Sequence, residues 1–95
     1  MRNGSKRVTK RLQLGEYIVA DPAICGGMAT FKGTRIMVWQ VLDALARGES
    51  WHEIVDAWVG RVPKAAIAET VRLAHQAFLD KDGRLLRPVG RRLAA

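Results

Sequence analysis

The chain has 95 residues, 16 of them basic and nine acidic, for a formal net charge of +7. That length holds one domain with a thin core, and no run of about 18 apolar residues offers a membrane span. A basic start with no apolar stretch behind it is not a secretory leader, and the single Cys25 cannot close an internal disulfide, which fits a reducing cytoplasm.

The charge is unevenly spread. Residues 1–15 carry Arg2, Lys6, Arg7, Lys10 and Arg11 and no acid; residues 84–95 carry Arg84, Arg87, Arg91 and Arg92 and no acid. All nine acids lie in the near-neutral body, 16–83. The expected organisation is a basic N-terminal arm (1–15), a folded domain (16–83) and a basic C-terminal tail (84–95). Single-sign arms suit polyanions or acidic protein pockets; the plainer alternative is a solubilising tail.

In chain order, Leu12 and Leu14 alternate with polar neighbours and can begin an edge strand. Tyr17-Ile18-Val19-Ala20 is β-prone and closed by Asp21-Pro22. Gly26-Gly27 marks a turn, Met28 to Lys32 a second strand, and Arg35-Ile36-Met37 a further extended piece. Three helices follow. Val38, Val41, Leu42 and Leu45 form one apolar stripe, stopped by Gly48. Ser50 and Glu53 have capping-box spacing, and Trp51, Ile54, Val55 and Trp58 continue a stripe. Gly60-Arg61-Val62 is a tight link, and Pro63 suits a first helical turn. Ile67, Val71, Ala74 and Phe78 are expected to face inward along the third helix. This arrangement leaves Lys64, Ala65, Ala68, Glu69, Arg72 and Gln76 outward. Asp80-Lys81-Asp82-Gly83 reads as the closing turn. The fold class is therefore α+β: short N-terminal strands, then a trihelical helix-turn-helix bundle of homeodomain-like or winged-helix-like type.

Pro22-Ala23-Ile24-Cys25-Gly26-Gly27, followed by Lys32-Gly33-Thr34-Arg35-Ile36, resembles the bacterial domain-of-unknown-function family 433. The likeness runs over roughly residues 16–80. It departs from the family pattern at Met28-Ala29, where a basic or polar residue and then proline are usual, and near Val59-Gly60, where tyrosine-proline is usual. The resemblance implies a helix-turn-helix-like domain with small N-terminal strands, paired as a homodimer. It also implies an antitoxin role of the VapB type beside a PIN-like ribonuclease toxin. It carries no catalytic residues.

For DNA, the start of the third helix would enter the major groove. Lys64 and Arg72 would then meet phosphates or guanine edges, and Gln76 an adenine edge, with Glu69 an opposing charge on the same face. Lys6, Arg7, Lys10 and Arg11 would follow the backbone or minor groove as a flexible arm does. For the toxin, Arg84, Leu85, Leu86, Arg87, Arg91 and Arg92 alternate guanidinium forks with apolar side chains. A nuclease centre is a cluster of acids, where an inserted arginine would compete with Mg²⁺.

Other chemistries fail on spacing. The three glycines 26, 27 and 33 lack the closing Gly-Lys-Ser/Thr of a phosphate loop and supply positive φ instead. Arg35 is expected to anchor the strand module or a dimer mate. A calcium loop starting at Asp80 would need Gly at Leu85 and Glu at Arg91. His52, His75 and Cys25 have no zinc spacing and no nucleophile arrangement. Trp39, Trp51 and Trp58 are expected to pack a core or interface rather than stack bases.

The expected protein is thus not an enzyme and has no cofactor, metal, membrane or small-molecule substrate. It is a cytoplasmic antitoxin-like homodimer, joined through its N-terminal strands, that restrains a PIN-like ribonuclease and regulates transcription by binding operator DNA. The alternatives are a stand-alone DNA-binding regulator and a pure protein-interaction module.

Overall fold

The computed structural model describes residues 8–86 and Gly90. Three short strands form an antiparallel meander: β1 (Leu12–Gln13), β2 (Ile18–Ala20) and β3 (Ala29–Phe31), in that spatial order. Ile18 stands opposite Phe31 and Ala20 opposite Ala29, so one face of the sheet is apolar. A single-turn 3₁₀ segment, Cys25–Gly27, connects β2 to β3. The extended piece expected around Arg35–Met37 becomes one bridge, Thr30 to Met37.

So small a sheet is marginal alone; helices cover it. They are α1 (Val38–Ala46), α2 (Trp51–Ala57) and α3 (Lys64–Phe78). Ile18 and Phe31 enter a common core with Ile36, Val41, Ala44, Ile54, Val62, Ala66 and Ile67. Val38, Leu45, Val55, Trp58 and Leu73 pack against its rim. Leu42 lies further out than its spacing suggests, because Ala44 takes the inward position on the last turn of α1. Trp58 joins the core rim, whereas Trp39 and Trp51 are exposed.

The helix ends follow the sequence signals. Gly48, at φ +88°, lies just beyond α1 in the left-handed region that glycine enters freely. The Ser50 hydroxyl accepts from the Glu53 backbone N–H at 3.0 Å, and the Glu53 carboxylate accepts from the Ser50 N–H at 2.7 Å. Asp80 closes the turn after α3, its carboxylate accepting from the backbone N–H groups of Asp82 and Arg84.

The link between α2 and α3 is less comfortable. Val59 has φ +55° and is 87% exposed, so no burial offsets the conformation. A β-branched residue there crowds its own carbonyl, at about 1–2 kcal/mol. Asn tolerates this region. Val59→Asn is expected to raise stability by about 1 kcal/mol, read as a higher urea midpoint at unchanged slope.

Glu53 supplies a pH signature. Its carboxyl lies below its ordinary value of 4.5, held there first by the Ser50 backbone amide and then by the Ser50 side chain. A depressed acid stabilises the folded state above its unfolded pKa, and that contribution fades as pH falls through the folded one. The stability gap between the natural chain and Glu53→Ala should be full above pH 4.5. Urea unfolding at successively lower pH should show the gap closing.

Candidate nucleic-acid interface

α3 turns inward a face rotated from the one its apolar spacing suggests, with Ile67 buried as expected and Ala74 half-buried. Ala66, Ile67 and Thr70 are buried and Leu73 half-buried, while Val71 and Phe78 are 42% and 44% exposed. Burial of Thr70 is possible because its hydroxyl donates to the Ala66 carbonyl one turn back, at 2.9 Å.

Glu69 explains the rotation. It is only 6% exposed and does not lie on the outward face. Its two carboxylate oxygens accept from the backbone N–H groups of Glu16 and Tyr17, each at 2.8 Å. These amides belong to the tight connection from β1 to β2, which a meander leaves unpaired. A buried carboxylate needs such donors. Gly15 makes the approach possible, since a Cβ there would stand 2.4 Å from the carboxyl carbon. Arg72 reaches the same carboxylate from outside at 3.9 Å.

The opposing charge expected on the α3 surface is thereby withdrawn. Lys64, Ala65, Arg72 and Gln76 are exposed along the outer arc, bounded on one side by Val71 and Phe78. Lys64 opens the helix, whose N-cap, Pro63, gives no side-chain cap.

The arms are placed only in part. Lys6, Arg7, Arg87, Arg91 and Arg92 lie outside the described residues. Lys10 is exposed, but Arg11 lies 3.8 Å from the Asp21 carboxylate, so part of the arm returns to the body. Arg84, Leu85 and Leu86 are exposed, yet their backbone turns back on the end of α3. Leu85 bridges to Leu79, and the Leu86 N–H donates to the Phe78 carbonyl at 2.8 Å. Two leucines are thus held facing solvent beside Phe78.

Of the histidines, His52 sits 3.2 Å from Asp56 on the α2 surface and His75 is exposed on α3. Within its own chain Arg35 does not anchor the strand module: among the described residues no side-chain hydrogen bond is made by its guanidinium. Thr34 does that work. Its hydroxyl donates to the Phe31 carbonyl at 2.8 Å and accepts from the Ile36 N–H at 2.9 Å. Arg61 is only one letter of a tight link in the sequence, yet the fold puts it beside Arg35 on an open cleft. Nothing in local spacing signals that meeting. Among the described residues no helix is long and apolar enough to cross a membrane.

A three-stranded meander over three helices, with Lys64, Arg72 and Gln76 exposed on the third, defines a small α+β domain. The chain belongs to the family described as Protein of unknown function (DUF433), whose model matches residues 18–72. It is similar to the uncharacterized protein y4eO of Sinorhizobium fredii, 32% identical over 74 residues, covering 78% of this chain and 31% of that relative. The chain thus spans about a third of the relative's length. No solved structure matches it.

The coupling of Gly15 to Glu69 is measurable. Gly15→Ala should cost about 1–3 kcal/mol by overpacking a carboxylate that two amides hold still. Glu69→Ala, which leaves those amides without their acceptor, should cost about 2–3 kcal/mol. In the double variant the collision is gone, so urea unfolding should return a loss well below the sum.

Proposed function

We propose that this chain is an antitoxin-like regulator that binds DNA through the outer arc of α3 and restrains a PIN-like ribonuclease. The withdrawal of Glu69 carries the reading. With that carboxylate buried and held by backbone amides, Lys64, Gln76 and Arg72, the last with Glu69 3.9 Å behind it, form a surface of donors on one exposed helix. Donors of this kind suit phosphates and purine edges. The two basic arms, which flank a near-neutral body in the sequence, add sequence-independent attraction.

β1 supports pairing through the strands. It forms the sheet edge, and Leu12 on it and Leu14 just beyond are exposed. An apolar edge of this kind favours a second strand, and a two-fold dimer supplies one. A homodimer would present two copies of α3 to two half-sites. The toxin contact is assigned to the return after α3, where Leu85 and Leu86 face outward beside Phe78, with Arg84 next to them. Apolar anchors flanked by a guanidinium fit the rim of an acid-rich nuclease site. On this reading the protein works in the cytoplasm, next to its operator and its toxin.

Two measurements test the assignments. Fluorescence anisotropy on duplex DNA across a salt series should show Lys64→Ala and Arg72→Ala each lowering the log–log slope by about 0.9, the share of one neutralised phosphate. Salt-insensitive or absent binding by the natural chain would remove the DNA role. The product of an adjacent nuclease gene should co-purify with the natural chain, and Leu86→Asp with Arg84→Ala should release it.

A further inference from the structure

Arg35 and Arg61 are 26 positions apart in sequence, yet both line one open cleft of about 470 Å³ with Ile24, Gly33 and Thr34. Each arginine springs from a fixed point. Arg35 sits between Thr34, clamped by its two hydroxyl hydrogen bonds, and Ile36, a core residue. The Cys25 thiol also donates to the Arg35 carbonyl at 3.6 Å. Arg61 sits between the positive-φ pair Val59-Gly60 and Val62, which is fully buried; its N–H donates to the Trp58 carbonyl at 2.9 Å. Both side chains therefore spring from rigid backbone rather than from mobile loops.

Neither has a carboxylate partner among the described residues, whereas Arg11, Arg47 and Arg72 each have one within 4 Å. Two like charges brought to one cleft repel, and an anion between them relieves that repulsion. Planar guanidinium forks match tetrahedral oxyanions bidentately. Lys64, the first residue of α3, follows Arg61 by three positions, so the cleft adjoins the helix assigned to DNA.

We propose that the Arg35–Arg61 cleft is a phosphate-binding site and that its phosphate is a backbone phosphodiester of the duplex held by α3. The second half rests on the DNA-binding reading; the first does not. The family-type element Gly33-Thr34-Arg35-Ile36 then has a physical meaning. Gly33 makes the positive-φ turn, Thr34 locks it, Ile36 anchors it in the core, and Arg35 delivers the charge.

The test uses the full chain and two probes. Inorganic phosphate is titrated while backbone amide resonances are followed, and duplex DNA is titrated across a salt series. Saturable shifts are expected at Thr34, Arg35 and Arg61, abolished in Arg35→Gln with Arg61→Gln. That double variant should also lower the DNA salt slope by about 0.9, while Lys81→Gln, a distant charge, leaves it unchanged. Unaltered thermal midpoints confirm folding, since neither side chain is part of the core. Phosphate shifts abolished at an unchanged DNA slope would overturn the phosphodiester half and leave a site for a free phosphate-bearing molecule. Phosphate shifts with no DNA binding by the natural chain would sink the DNA reading and keep the site. Absence of shifts at the three residues, with an unchanged slope, would overturn the site itself.

Discussion

A single carboxylate ties the two halves of this molecule together. Glu69, on the third helix, takes up the two backbone amides that the turn between the first strands leaves without acceptors. Neither half satisfies itself. The turn has part-buried donors, and the helix would otherwise show an acid in the middle of its cationic arc. Charge-assisted hydrogen bonds of this kind are among the stronger ones available to a small core. They matter more where the apolar core is thin. Gly15 is the steric condition for the contact, because any side chain there would occupy the carboxylate's place.

That contact sets the orientation of α3, and the orientation sets its surface. Once Glu69 points at the sheet, Ala66, Ile67 and Thr70 follow it inward, and Val71 and Phe78 move to the edge of the exposed arc. The interior accepts small and hydroxyl-bearing side chains there because the sheet's turn comes close. A helix packed by apolar spacing alone would bury its valine and phenylalanine and leave the acid outside. The polar link thus decides which residues a partner can meet.

Local devices hold the rest within a short chain. A capping box starts α2, a threonine hydroxyl clamps the turn before α1, and an aspartate closes the turn after α3. Each satisfies backbone groups that a short element leaves open. The strained Val59 stands apart from this pattern. It sits at the link that positions Arg61, beside Gly60, which is also at positive φ.

The sequence by itself determined the element order, because the relevant signals are local. β-prone runs with turn pairs placed three strands, apolar spacing and glycine placed α1, and Ser50 with Glu53 placed the start of α2. The glycine-threonine-arginine element with its preceding glycines carried the family. Of the face α3 buries, Ile67 was legible but its rotation was not: Glu69 reads as a solvated acid until the amides of residues 16 and 17 stand opposite it. The meeting of Arg35 with Arg61 was equally hidden, since neither has a sequence neighbour that marks it. Hydrogen bonds and charge convergence between segments far apart in the chain exist only once the tertiary structure brings those segments together. Helix registration and the shape of the cationic cleft belong to that level.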